Sequence, residues 1–264
     1  MSRIVKAGPG LHIGDHVLAQ TIDRDRIVSS SPNVIDGHRL KTVRIAGKTL
    51  AVGEELKAAS CACDNRLDIS WLKFAAEQYH ISPKIEDYVL LSVPIVVATF
   101  PNRNHDAFPY EEITKWRSPV GRVAFQTFIS KPAHRDHDNQ DDTKAKGVIF
   151  DASLEKHFGQ WHIVILKGFD RTKDKKLAEQ VQQKNRVGHS MGALVEKTEC
   201  SLPHCRFVSD GVSTCEHIAG GAGKGQIIRG HLVYELLRDW VMVESSSVAD
   251  PASATALSDY FVNA

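Results

Sequence analysis

No stretch of this chain approaches the ~18 consecutive apolar residues that a membrane span needs. The longest apolar run, VLLSVPIVVATF (residues 89–100), is shorter and carries Pro94. There is no excess of charge: 33 Lys+Arg stand against 32 Asp+Glu, which removes any global electrostatic case for a nucleic-acid partner. The opening MSRIVKAGPG has no apolar h-region, so a secretory signal is not expected. Cysteines number five, and an odd count without an export signal points to free thiols or a metal rather than disulfides. No internal repeat is present. What remains is a chain of 264 residues with an ordinary 42% of hydrophobic residues, long enough for one large domain or one domain plus an appendage.

Residues 1–87 read as a loosely patterned N-terminal appendage, with turn-rich SSSPN (29–33) and IDGHR (35–39). One helix is expected there, over DISWLKFAAEQYH (68–80), with Asp68 as N-cap and apolar spacing through Trp71, Phe74 and Ala75. From Tyr88 the texture changes. VLLSVPIVVATF is β-branched and reads as a buried strand interrupted at Pro94. FPYEEITKWR (108–117) predicts a helix, with Pro109 in its first turn and acids early. FISKPAHRDHDN (128–139) is extended and runs into a polar loop, and GVIFDASL (147–154) and WHIVILKGF (161–169) predict strands. DKKLAEQVQQKN (174–185) is an amphipathic helix with Leu177, Ala178 and Val181 on one face; ALVEKTE (193–199) and VYELLRDWVMVESSSV (233–248) return to strand.

GHSMG (188–192) matches G-x-S-x-G, the nucleophile elbow of α/β-hydrolase esterases. That elbow needs a buried strand before the serine and a helix after it. Here the order is inverted, and EQVQQKNR cannot make a buried parallel strand. Two readings of Ser190 are left: a plain serine where a strand starts between two glycines, or a nucleophile of another architecture. A serine nucleophile needs a base. His189 is adjacent, and neighbours on a strand point to opposite faces. AHRDHDNQDD (133–142) offers His134 and His137 among Asp136, Asp138, Asp141 and Asp142, a field that favours an imidazolium. The same stretch also reads as a solvated acidic loop or a divalent-metal site.

C-terminal to the serine, Cys200, Cys205, Cys215 and His217 form C-x4-C-x9-C-x-H. Three thiolates and an imidazole can close a tetrahedral structural zinc site that clips a glycine-rich loop. His204 could replace Cys205, and free thiols in a surface loop are the other reading. Four protein ligands leave no open position for catalysis. Cys61 and Cys63, as C-x-C, are too close together to read as a site.

The ordered series PNRNHDAFPYEEI, KPAHRDHDN, AKGVIFDASL, KLAEQVQQKNRVGHSMGALVE and VMVESSSVADPASATA resembles the prohead (capsid maturation) proteases of large tailed phages, which are similar to herpesvirus assemblin-type serine proteases. The resemblance covers about residues 94–256. It implies Ser190 as nucleophile and His137 as base, because the family histidine lies about ten residues before the glycine opening the next strand, here Gly147. Glu244 takes the acidic position of E-x-S-x-V-x-x-P-A, with Asp250 and His231 as alternatives for the third member. The chain departs from the family in having His189, where a tight apolar residue is common. Some of these phage proteins carry a C-x2-C…C-x-H insertion after the serine strand.

The resemblance further implies an α+β fold: a mostly antiparallel, barrel-like sheet flanked by helices over residues 88–264, with a zinc loop inserted at 198–224. The implied reaction is peptide-bond hydrolysis of phage scaffold/core and major capsid proteins inside the prohead, in the cytoplasm of an infected bacterial host. It implies self-association, and neither membrane nor direct nucleic-acid binding. Oxyanion donors are expected from GGAGKGQIIRG (220–230), with Arg229 as an orienting residue. The rival expectations are a capsid or core structural protein that keeps the fold without cleaving, and a metal-binding module built on AHRDHDNQDD.

Overall fold

The computed structural model describes residues 3–5, 42–45, 48–51, 70–157, 159–183, 187–205, 207–209, 213–219, 223–253, 256 and 260–262. The turn-rich stretches at 29–33 and 35–39 and the Cys61/Cys63 pair lie outside them. In chain order the strands are β1 (Arg3–Val5), β2 (Thr42–Ile45), β3 (Lys48–Ala51), β4 (Tyr88–Val97), β5 (Asp106–Ala107), β6 (Trp116–Arg117), β7 (Arg122–Val123), β8 (Pro132–Arg135), β9 (Gly147–His157), β10 (Gln160–Asp170), β11 (Gly188–Cys200), β12 (Val208–Ser209), β13 (Ile227–Ile228), β14 (His231–Leu232), β15 (Glu235–Val248) and β16 (Tyr260–Val262). Among the described residues the α-helices are few and short: α1 (Ser70–Tyr79), α2 (Tyr110–Ile113) and α3 (Lys175–Gln182).

The fold is α+β, made mostly of strands. One sheet dominates, in the order β1-β11-β15-β8-β9-β10-β4-β16, with β12 added to β11 and β5 to β15. It curls into a half-barrel that brings β4 near β11 without pairing them. Its pairs are antiparallel except β15 with β8 and β15 with β5. The inside of the curl is the main apolar core, filled by residues such as Phe125, Phe128, Phe150, Ile165, Phe169 and Trp240.

Alternation along the central strands decides what faces that core. On β11, Met191, Ala193 and Val195 belong to it, so Ser190 and Gly192 face outward. On β15, Trp240 and Met242 face the core, while Val241 and Val243 pack outside with Leu194. Unbroken alternation would carry Glu244 inward. It does not, because Gly192 pairs with Glu244 while Ala193 pairs with Met242, leaving Val243 as a bulge. One extra residue reverses the faces of everything beyond it. Glu244 and Ser246 therefore share the outer face with Ser190.

Several elements differ from the sequence expectation. Helix α1 begins at Ser70, and Leu72, Ala75, Ala76 and Tyr79 lie in the main core, so the region expected as an appendage through residue 87 contributes to the central packing. The helix expected over 108–117 is one turn, Tyr110–Ile113. Arg117 has other work: buried, it binds Glu112 at 2.7 Å and donates through Nε to the Trp240 carbonyl at 2.9 Å. Pro94 does not break β4; Ile95 beside it is skipped in the pairing with β10. Strand β11 starts at Gly188, not 193, so GHSMG is strand throughout.

β8 and β9 position the loop that carries His137, and Gly147 opens β9. A Cβ on Gly147 would lie 1.9 Å from the Gly168 carbonyl oxygen on β10. Backbone at that distance must move. Gly147→Ala should lower stability by about 1–3 kcal/mol, as overpacking does. That is a fall in melting temperature of roughly 3–10 °C for a chain of this size, read by calorimetry.

Candidate active site and metal-ligating cluster

Ser190 sits in the register of β11, opposite Ser246, with helix α3 before it in the chain. An elbow serine would stand on a turn between strand and helix, so the esterase arrangement is not what this backbone builds. Ser190 is 9% exposed.

His137 follows β8. Asp136 and His137 have φ of 51° and 56°, two successive left-handed residues without glycine. Each such residue costs about 1–2 kcal/mol of backbone energy. The turn is held by the Asp136 N–H donating to the Ser247 carbonyl at 2.8 Å and by the Asn139 N–H donating to the His137 carbonyl at 2.8 Å. It swings the imidazole back over the outer face of the sheet. There Nδ1 meets Glu244 Oε1 at 2.9 Å. Glu244 is 1% exposed. Its second oxygen accepts from the Ser246 hydroxyl at 2.7 Å, and that hydroxyl accepts from the His137 N–H at 3.2 Å. A carboxylate at Nδ1 selects the tautomer with the proton there and leaves Nε2 as the base.

His137 and Glu244 are thus joined, and Ser246 locks both. Ser190 lies across the strand pair from Ser246 on the same face, at the ~4.5–5.5 Å between Cβ atoms usual for directly opposed residues. No hydrogen bond joins Ser190 Oγ to the His137 ring. Such contacts are often long before substrate binds. Ser246 is the serine of the E-x-S-x-V-x-x-P-A pattern, and the sequence does not single it out. What could mark it is its spacing of two from Glu244, which puts both on one face.

The other candidates are placed elsewhere. His134 is buried on β8, opposite Ser246 in register. Asp250 is exposed and pairs with Arg103. His231 and Arg229 are exposed, on and beside the β13–β14 hairpin. That hairpin and the described part of the 220–230 stretch dock near Glu235, which pairs with Cys200, ten residues along β11 from Ser190. At ~3.3 Å per residue that is about 33 Å. The described residues of that stretch, 223–230 with Arg229 among them, thus belong with the Cys200 end of the ribbon, as does His231, and none of them is hydrogen-bonded to Ser190. Of the acidic loop, Asp138 pairs with Lys144, and Asp141 caps the 3-10 turn at 142–144. No metal-binding group of three or more ligands is found there among the described residues.

His189 points into the core, beside the Phe169 ring. Lys167, fully buried, reaches its Nδ1 at 3.4 Å and donates to the Ser245 carbonyl and hydroxyl, both at 3.1 Å. The Ser245 hydroxyl in turn donates to the Ser190 carbonyl at 3.0 Å. Burial drives the Lys167 pKa down to about 7, with the Glu244 charge opposing. Burial, then the Lys167 charge, holds His189 well below the usual histidine range. His189 is thus an interior partner of Lys167 and no base for Ser190.

At the far end of the β11–β15 ribbon, Cys200, Cys205, Cys215 and His217 each bring one ligand atom within 4.8 Å of the others. Each sulfur accepts a backbone N–H from the residue two positions on: Leu202, Phe207 and His217. Those bonds favour thiolates. Without a cation, burial pushes the Cys200 thiol up to about 12. His217 Nδ1 is buried with no hydrogen-bond partner. Leu202, Ile218 and Val233 pack around the cluster, and His204 is exposed outside it. Lys224 fastens the following segment to the sheet by pairing with the buried Asp106 and, at 2.7 Å, with the buried Glu235. The arrangement is compatible with a metal site.

No helix among the described residues is long and apolar enough to cross a membrane. Comparison with protein-family models, with curated proteins and with solved structures finds no match to this chain.

Lys167 gives the site a pH signature. Its folded pKa near 7 lies below the unfolded value of about 10.4. Between the two the unfolded chain binds more protons, so stability rises with pH across that window. Below pH 7 both states hold the proton and the dependence vanishes. Lys167→Met should remove the rise: wild-type minus variant unfolding free energy, from urea titrations, should climb from pH 7 to 10 and be flat from 5 to 6.5. A difference that is flat throughout would place the lysine charge in solvent.

Proposed function

We propose that this chain is a serine endopeptidase of the prohead maturation type, with an assemblin-like fold, that cleaves scaffold/core and capsid proteins of a tailed phage. The observation that carries the reading is the hydrogen bond from His137 Nδ1 to buried Glu244, on the same sheet face as Ser190. Glu244 orients the imidazole and stabilises its cation. His137 Nε2 takes the proton from Ser190 Oγ as that oxygen attacks the scissile carbonyl. The protonated imidazole then gives its proton to the leaving amine, and water cleaves the acyl-enzyme by the same route. The place of action would be the prohead in the host cytoplasm, where self-association with other copies is expected.

A second reading keeps the fold in a capsid or core structural protein without cleavage. What favours it is the missing hydrogen bond between Ser190 and His137. Co-expression with the scaffold protein separates the two. The wild-type chain should cleave the scaffold, Ser190→Ala should not, and Glu244→Gln should lower kcat by about 10⁴-fold by disturbing the tautomer. Cleavage that survives Ser190→Ala would reject the serine as nucleophile.

For the Cys/His cluster we propose a structural zinc. Three sulfurs and one imidazole suit its tetrahedral preference, and all four positions are filled by protein, so the ion would clip the loop rather than act on substrate. The purified chain should contain about one zinc per molecule by elemental analysis, as a single tetrahedral site requires. Cys205→Ser and His217→Ala should lose it and lower the melting temperature, and a chelator should reproduce the shift. Metal-free wild type with an unchanged melting temperature would reject the clip.

A further inference from the structure

Where β4 and β11 approach without pairing, a cleft of about 220 Å³ opens beside Ser190. Its walls are mainly Ile95 and Val97 of β4, Phe100 and Phe108 beyond it, and Met191 of β11. At ~300–1,000 Å³, sites for whole small molecules are larger, so this volume suits a single side chain. Its charged lining residue is Arg103, already paired with Asp250. His189, the other polar ring lining it, is engaged by Lys167. A cationic side chain entering the cleft would lose its hydration without gaining a partner, and a carboxylate would have to draw Arg103 from its exposed pair with Asp250.

Among the described residues the backbone next to the cleft has an unpaired edge. The His189 N–H leaves the sheet to donate to the Ala256 carbonyl at 2.7 Å, so alternation turns the Met191 N–H and C=O toward that edge too. Among the described residues, β1 pairs with β11 from Ala193 to Val195 and β16 pairs with β4 from Leu90 to Ser92, and no described strand pairs with this edge of β11 at Met191 or of β4 from Val93 to Val97. An extended peptide can add to such an edge, with backbone bonds for affinity and alternate side chains for specificity. We propose that this seam is the specificity pocket of the endopeptidase, taking a medium or large apolar side chain (Leu, Met or Phe) next to the scissile bond of an extended substrate. The proposal rests on the serine-peptidase reading and adds the substrate class to it.

The test has two arms on the full chain. Binding is measured by fluorescence anisotropy on Ser190→Ala, using labelled, end-blocked hexapeptides with Leu, Phe, Lys or Glu stepped through each position. At one position Leu or Phe should bind at least ~10-fold more tightly than Lys or Glu, the scale on which an apolar pocket discriminates. Val97→Asp, at a half-buried position, should erase that preference with an unchanged circular dichroism spectrum. Phe100→Ala, at an exposed position, serves the same purpose should Val97→Asp fail to fold, and should weaken Leu and Phe peptides about 10-fold. Equal binding of apolar and charged peptides, or a preference that ignores both substitutions, overturns the pocket. The second arm labels wild type with a fluorophosphonate, with Ser190→Ala as control. Labelling that depends on Ser190 supports the parent reading. Its absence overturns the peptidase and the specificity role with it, whatever the binding arm shows.

Discussion

Everything in the candidate active site depends on how β15 pairs with β11, and in particular on the bulge at Val243. Just before the bulge Trp240 and Met242 fill the core; just after it Glu244 and Ser246 face outward. The strand thus does two jobs in sequence. Trp240 and Met242 supply packing, with Trp240 edge-on to Phe108 at 5.3 Å between ring centroids. Glu244 and Ser246 supply polar chemistry on the outer face. Burying Glu244 is tolerable because both of its oxygens are met, one by His137 and one by Ser246. An isolated carboxylate there would carry the full cost of desolvation.

The same pairing explains the small residues around the serine. Ser245 and Ser247 face inward opposite Met191 and His189, and the space they leave admits Lys167. Gly188 is held just as closely: a Cβ there would sit 2.7 Å from the Val248 carbonyl oxygen. GHSMG and ESSSV are two halves of one ribbon, and their composition answers to steric limits on both faces. Inner and outer polar groups meet at Ser190, whose carbonyl is bound from inside by Ser245 while its side chain faces the imidazole's side of the sheet.

Much of the fold was legible. The long strands at 88–97, 147–157 and 160–170 and helix α3 follow from apolar patterning and from Asp174, which caps α3 by accepting from the Leu177 N–H at 2.9 Å. The bulge was not legible, because WVMVESSSV reads as continuous strand and nothing in it marks Val243 as the skipped residue. With the bulge hidden, the sequence does not show which face Glu244 takes, and Asp250 and His231 remain beside it as alternatives. The start of β11 is hidden in the sequence because two glycines around Ser190 look like a turn; in the sheet they are part of the strand. The described part of the glycine-rich stretch packs at the other end of β11 from Ser190 for a longer-range reason. Sequence shows that it follows the serine, but only the register of β11 shows that ten residues of extended chain intervene.

The Cys/His cluster carries a consequence in redox terms. Cys200, Cys205 and Cys215 are free thiols whose sulfurs lie within 4.8 Å of one another. Three thiols so placed cannot all be satisfied by oxidation: any disulfide between two leaves the third unpaired. A bound soft cation holds all three as thiolates and blocks that chemistry. Were a bound ion lost, an external two-electron oxidant could join two of the thiols, and a disulfide so formed would need a reductant, not metal alone, to reverse it.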